Sequence, residues 1–487
     1  MDRLKSNLIY SVLGVVFQTL FPLIIYPYIT RVLGVSSLGE YNLYSSTVAY
    51  LALFSGFGIS LYGTKEIGKQ KDNKKGYSKV FGELITINLI MSAIAYILIF
   101  SLILFSPKYQ NVKLFLITSV TLITNAVGAE YLFVALEKQK FMLIRNIIFK
   151  VLSLVLIFLF VHDESDLLVY ALIMLLSTAG VSITNIINYR DKIDWSVIRL
   201  SEFNLIPYLL PLAQVFIMDI LIHYYGMMDI VLLGNLDTVE SVGYYSVASK
   251  IYALTYSVLA STAVPLLPRA AYYVEQGKTE EYNGMVQRCY DLYLLIITFS
   301  AFVLFFYAED IIVLISGEEF RSGYLPLKIF APTLLLSSFC NFFIFEIFYP
   351  KNKSKFVLRA LLISIVANLV LSFVLIPVLS FTGAAIAFIA SYILLFMIFV
   401  IAGKKELPKF TGSNDFIKEI IGIAICFVLC IALRNTSIHF LLQLVACGMV
   451  FIGAELVMQN KTALYLLTLA KDKINSLRNG KVDRESI

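Results

Sequence analysis

The sequence predicts an all-α integral membrane protein of about fourteen transmembrane helices, in two like-oriented six-helix lobes with two extra C-terminal helices. Three observations predict it. Of the 487 residues, 59% are hydrophobic and 15% charged, whereas soluble domains carry roughly 25% charged residues. Apolar runs of about 20 residues, the length that spans a bilayer as a helix, recur from end to end without the alternation of a β-barrel. Finally, 28 of the 39 Lys and Arg residues fall in the even-numbered connections and the two tails, and five in the odd-numbered connections. Basic residues are retained on the cytoplasmic side, so both termini are expected to be cytoplasmic.

The runs lie near 7–33, 39–62, 80–106, 112–135, 142–161, 167–188, 205–233, 242–266, 288–307, 325–348, 357–376, 381–402, 417–433 and 438–458. The first is too long for the apolar segment of a cleaved signal peptide. Spans 1–6 make an N-lobe over 1–188, and 189–204, with the single Trp195, is a cytoplasmic linker. Spans 7–12 make a C-lobe over 205–402, and 403–458 holds spans 13 and 14. In the cytoplasmic tail, 459–487, Leu467, Ala470, Ile474 and Leu477 recur at helical spacing beside Lys471, Lys473 and Arg478. That pattern suits an amphipathic helix on anionic lipid as well as a plain charged tail.

The lobe division rests on an internal echo. Val32-Leu-Gly34 followed by Leu38-Gly-Glu-Tyr41 recurs as Leu232-Leu-Gly234 followed by Val242-Gly-Tyr-Tyr245, each at the turn opening a six-span block. An even number of spans separates the copies, so they share one orientation, as in transporters built from parallel repeats. Pro22 and Pro27 in span 1, and Pro207, Pro211 and Gly226 in span 7, predict broken helices at matching positions, a pointer to a moving site.

Ionisable groups inside spans cost at least about 2.5–3.5 kcal/mol each and face protein or water. The basic set is Lys150, Lys250, Arg31 and Arg145; the last two could also snorkel to headgroups. The acidic set is Glu130, Asp219, Asp229, Asp291, Glu346 and Glu455. Asp219 and His223 are four apart on one helix face and suit proton exchange, or a structural pair with Lys250 or a Tyr. Asp229 and Glu130 are further coupling-ion candidates. Asp291, Glu346 and Glu455 lie towards cytoplasmic ends and are expected to be solvated.

Other classes lack their residues. No P-loop, Gly-x-Ser-x-Gly or His-Glu-x-x-His occurs, and no catalytic set, cofactor or metal site is read. The short basic loops lack the interleaved aromatics of nucleic-acid binding. Cys289, Cys340, Cys426, Cys430 and Cys447 all sit in apolar runs with no metal-ligand spacing.

Several segments together carry a resemblance. They are Tyr26-Pro-Tyr-Ile-Thr-Arg-Val-Leu-Gly34, Ser37-Leu-Gly-Glu-Tyr41, Gly58-Ile-Ser-Leu-Tyr-Gly-Thr-Lys-Glu66 and Tyr131-Leu-Phe with Leu136-Glu137. Further on come Arg145-Asn-Ile-Ile-Phe-Lys150, Asp229-Ile-Val-Leu-Leu-Gly234 with Val242-Gly-Tyr-Tyr-Ser246, Pro265-Leu-Leu-Pro-Arg269 and Gly383-Ala-Ala-Ile-Ala387. In this order, over roughly 1–400, the chain resembles Wzx-type polysaccharide flippases of the MOP exporter superfamily. It departs from them in Tyr131 for Trp and in Val134-Ala135 for Gln-Gly.

The resemblance implies translocation of an undecaprenyl-diphosphate-linked oligosaccharide from the inner to the outer leaflet of a bacterial cytoplasmic membrane, for capsule, O-antigen or related glycans. It also implies alternating access between two lobes, coupling to H+ or Na+, and membrane lipids and other polysaccharide-assembly proteins as partners. On that reading Lys150, Lys250, Arg31 and Arg145 attract the diphosphate, and Asp219, with His223, is the coupling group. A cation-coupled drug antiporter of the same superfamily is the alternative, and a membrane glycan polymerase or ligase the alternative from another class.

Overall fold

The computed structural model describes residues 2–260, 266–408, 413–434, 436 and 439–478. Among these residues it is built of helices. They are α1 (Asp2–Gly56), α2 (Ile59–Lys69), α3 (Lys74–Phe105), α4 (Val112–Gly128), α5 (Glu130–Ala135), α6 (Gln139–Phe160), α7 (Leu167–Tyr189), α8 (Ile206–Leu236) and α9 (Val239–Ala260). There follow α10 (Leu267–Glu275), α11 (Thr279–Phe306), α12 (Ala308–Ser316), α13 (Tyr324–Phe342), α14 (Ser354–Ala402), α15 (Ser413–Arg434), α16 (Phe440–Val457) and α17 (Lys461–Arg478). Ten helical stretches among the described residues are long and apolar enough to cross a membrane. Two continuous helices, α1 and α14, each contain one non-helical residue, Gly34 and Ser380. These lie where the sequence puts the turns between spans 1 and 2 and between spans 11 and 12.

The chain forms two compact units. One comprises Met1–Lys250, Ile312–Gly323 and Ile365–Phe388; the other comprises Ile251–Ile311, Tyr324–Ser364 and Ile389–Ile487. In the first, α1 packs on α3, α4, α6 and α8, while α4 and α6 pack on α7. Ile59, Ile67, Phe81, Leu84, Leu132, Phe133 and Leu212 belong to a buried hydrophobic cluster there. In the second, α11 lies against α13 and α15, and α15 against α16. Cys426, Cys430 and Cys447 are buried there with Phe451 and Tyr307, and all five cysteines are free. Ile97, Leu104, Phe105, Val378 and Val428 are exposed, which suits a fold whose outer solvent is lipid.

The helix breaks fall elsewhere than the prolines predict. Helix α1 runs through Pro22 and Pro27, and α8 runs through Pro211 from a start with Pro207 in its first turn, where a missing N–H is harmless. Left-handed backbone instead occurs at Gly34 (φ 68°), at Phe57 and Gly58 (φ 43° and 73°), at Ala129 (φ 40°) and at Ser380 (φ 54°). Span 4, expected unbroken over 112–135, is split at Ala129 into α4 and α5. Side chains take up the carbonyls freed there: Asn185 donates to Gly128 O at 2.8 Å and Tyr189 to Val127 O at 3.0 Å. A broken membrane helix persists where such groups satisfy its backbone. The Ser380 hydroxyl is likewise held by Ser241, at 2.9 Å, and by the Asp237 carboxylate.

The echoed segments meet in the first unit. Val35-Ser-Ser-Leu-Gly39 and Val239-Glu-Ser-Val-Gly243 share Val, Ser and Gly at their first, third and fifth positions, and each glycine sits against the other's backbone. A Cβ on Gly39 would overlap the Val239 carbonyl oxygen, and one on Gly243 would overlap the Val35 carbonyl oxygen. Ser36 Oγ donates to Glu240 Oε1 at 3.2 Å beside them.

Glu346 and Glu455 correct an expectation. Both are fully buried rather than solvated. Glu346 lies in a π-helical turn, Phe343–Phe348, and neither of its oxygens has a hydrogen-bond partner among the described residues. Asn460 Nδ2 donates to Glu455 Oε2 at 2.8 Å.

Candidate substrate cavity and buried charges

The breaks at Phe57–Gly58 and at Ala129 border one cavity of about 440 Å³ in the first unit, within the roughly 300–1,000 Å³ usual for ligand sites. Ser55, Gly56 and Ser60 line it from the first break, and Gly128, Glu130 and Tyr131 from the second. Asn88 on α3, Asn125 on α4, Asn146 and Lys150 on α6, and Ser177, Thr178, Ser182 and Asn185 on α7 supply further polar groups. A polar hollow of this size between apolar helices needs an occupant, whether water or ligand.

Arg145, 3% exposed, organises one wall. Its guanidinium donates to Glu130 Oε1 at 2.9 Å, to Asn146 Oδ1 from two nitrogens at 2.9 and 3.2 Å, and to Asn185 Oδ1. The Phe141 ring lies 5.6 Å from its centre. A planar fork with several fixed acceptors is rigid, so Arg145 orients the wall rather than offering donors to the cavity. The Glu130 side chain is about half exposed (52%) and lines the cavity.

Lys150 and Lys250 differ from Arg145. The Lys150 ammonium lies 5.1 Å from the centre of the Phe21 ring, and its charge is opposed by that of Lys250. Neither lysine has a carboxylate within ion-pair distance among the described residues. Residues a hundred positions apart thus place two uncompensated cations in one field, an arrangement that favours an anion.

Arg31 is exposed and donates to Leu314 O at 2.5 Å. Asp229, 2% exposed, accepts from Tyr245 Oη at 3.0 Å through Oδ2, while Oδ1 has no partner among the described residues. Tyr50 and Asn368 face the same carboxylate. Ser372, one turn along α14 from Asn368, has a buried hydroxyl with no partner among the described residues. Asp219 is half-buried on α8, and the side chain of His223 lies outside the described residues.

Asn88, Asn125, Asn146, Asn185 and Asn368 carry no ionisable group, so charge within a span does not single them out. Amides in apolar runs are themselves costly unless satisfied, and that signal would have found them. Tyr131 was visible only as a departure from a pattern.

The "Polysaccharide biosynthesis protein" family profile matches residues 4–273, and the "MatE" profile residues 215–374. A protein named as a putative O-antigen transporter in Escherichia coli (strain K12) is 25% identical over 393 residues, 80% of this chain and 94% of that protein. A probable low-salt glycan biosynthesis flippase of Haloferax volcanii is 24% identical over 170 residues, 35% of this chain and 36% of that one. Among solved structures, the lipid II flippase MurJ in an inward closed conformation superposes with a TM-score of 0.73 at 16% identity, covering 94% of this chain and all of that one. An inward-facing multidrug resistance MATE transporter of the MOP superfamily gives 0.63 at 16% identity, over 82% and 97%.

Proposed function

This chain belongs to the polysaccharide biosynthesis protein family, and we propose that it flips an undecaprenyl-diphosphate-linked oligosaccharide from the inner to the outer leaflet of the bacterial cytoplasmic membrane. The reading is supported by the relatives' names and carried by one observation: Lys150 lines the polar cavity with no carboxylate within ion-pair distance among the described residues, in the repulsive field of a second unpaired lysine, Lys250. A diphosphate entering between them relieves that repulsion and loses much of its own penalty for leaving water. The lipid tail stays in the bilayer while the sugars occupy polar space.

In this proposal both termini are cytoplasmic, the two repeats act as lobes of an alternating-access cycle, and the Gly39–Gly243 contact closes the outer side. Arg31 sits at the outer edge. Arg145 acts on the cargo through the wall it orders. Asp229 is the favoured coupling group for H+ or Na+, because it is buried with one open oxygen. Glu130, already paired with Arg145, and Asp219 with His223 are secondary.

The test is binding in lipid nanodiscs of farnesyl diphosphate, farnesyl monophosphate and farnesol. The diphosphate should bind tightest, and Lys250→Ala should weaken it roughly tenfold without affecting farnesol. Equal binding of all three by the unsubstituted protein would contradict the reading. The match to MatE and the buried Asp229 keep the drug antiporter as a second reading, and extrusion of a cationic dye against a proton gradient would favour it.

A further inference from the structure

We propose that the cavity between the two helix breaks is a subsite for one uncharged sugar ring of the cargo, held beside its diphosphate; this rests on the flippase reading above. Its chemistry is that of hydroxyl recognition. The side chains of Asn88 and Asn125 make no hydrogen bond among the described residues. Asn146 commits its carbonyl to Arg145, which leaves its two amide hydrogens for a ligand. The Tyr131 hydroxyl, on a side chain only 5% exposed, has no partner among the described residues. Burying a hydroxyl without a partner is destabilising, so Tyr131 is matched to something that arrives.

Three features say which part of the cargo arrives. First, the wall carries a carboxylate, Glu130, anchored to Arg145 at 2.9 Å through one oxygen. A carboxylate accepts from sugar hydroxyls and repels phosphate. Second, apart from Glu130 and Lys150 the donors and acceptors are neutral amides and hydroxyls, carried by the seven helices α1 to α7 around the hollow, which can satisfy a ring bearing hydroxyls on several sides. Third, Lys150 lines this cavity and also feels Lys250, which does not. A diphosphate held by the two lysines therefore leaves its attached sugar at the mouth of the amide-lined hollow. Arg145 is a positioning residue here: four of its five N–H groups are committed to Glu130, Asn146 and Asn185, and it is not itself among the residues that line the hollow.

The experiment compares two probes in nanodiscs: farnesyl diphosphate and farnesyl diphosphate carrying one hexose. The readout is the ratio of their affinities, which a general loss of folded protein does not change. The unsubstituted protein should prefer the glycosylated probe roughly tenfold. Asn88→Leu should abolish the preference, and Tyr131→Phe, which removes one oxygen and keeps the ring packed, should reduce it several-fold; both should bind plain farnesyl diphosphate as before. A protein indifferent to the hexose, or a preference untouched in both variants, would overturn the subsite and leave the flippase reading standing. Failure of the unsubstituted protein to bind farnesyl diphosphate would overturn the flippase reading itself.

Discussion

Gly39 and Gly243 occupy equivalent places in the two echoed segments, and each lies against the backbone of the other's helix, at Val239 O and Val35 O respectively. Neither position has room for a side chain, so the pair makes a contact of backbone on backbone. Such contacts separate cleanly, because no side chains interdigitate.

Cross-linking tests whether they separate. With Ser36 Oγ and Glu240 Oε1 3.2 Å apart, a Ser36→Cys/Glu240→Cys protein should form a disulfide on mild oxidation. Transport should stop, and a reductant should restore it. Full transport by the quantitatively cross-linked protein would show that this contact need not open.

Gly243→Val should act in the opposite sense. The added side chain cannot fit beside Val35 O, so the contact should be held apart. Labelling of a cysteine at Ser36 by a membrane-impermeant maleimide should rise several-fold, with transport reduced. Unchanged labelling would mean that the helices accommodate the branch without parting.

Arg145 should matter for stability more than for cargo affinity. Arg145→Ala leaves Glu130, Asn146 and Asn185 without their shared donor, and the loss should fall below the about 3–5 kcal/mol of a fully buried pair, because the Glu130 side chain is half exposed and keeps water as a partner. Thermal unfolding in nanodiscs should shift down by several degrees, while the folded fraction keeps its affinity for farnesyl diphosphate within about threefold. An unchanged unfolding temperature would remove Arg145 from the role assigned to it.

Asp229→Asn should uncouple rather than disarm. The amide keeps the shape and can still bond Tyr245, but it has no proton to release and, without the negative charge, holds a cation far more weakly. Cargo binding should persist, and acceleration of transport by an imposed H+ or Na+ gradient should vanish. A variant driven by the gradient as well as the unsubstituted protein would exclude Asp229 as the coupling group.

The fold class was legible because lipid imposes long apolar helices whose composition cannot be disguised. The turns at Gly34 and Ser380 coincide with gaps between apolar runs. The breaks at Phe57–Gly58 and Ala129 were not legible, since both lie within apolar runs and depend on distant partners such as Asn185 and Tyr189. Pro22, Pro27 and Pro211 misled because a proline in a helix removes one hydrogen bond without ending it when neighbours compensate. Within the site, Lys150, Lys250 and Asp229 could be picked out as costly charges in spans. The sequence could not tell that Arg145 would find three acceptors and the lysines none, because pairing is a property of tertiary contacts.

The most direct measurement of the central claim is translocation in liposomes. A polyprenyl-diphosphate-linked oligosaccharide is placed in the inner leaflet, and its appearance outside is followed for the unsubstituted protein, Lys150→Gln, Lys250→Gln and the double variant. The account predicts protein-dependent translocation, a loss of roughly tenfold in each single variant, and a larger loss in the double. Full-rate translocation by the folded, membrane-inserted double variant would contradict it.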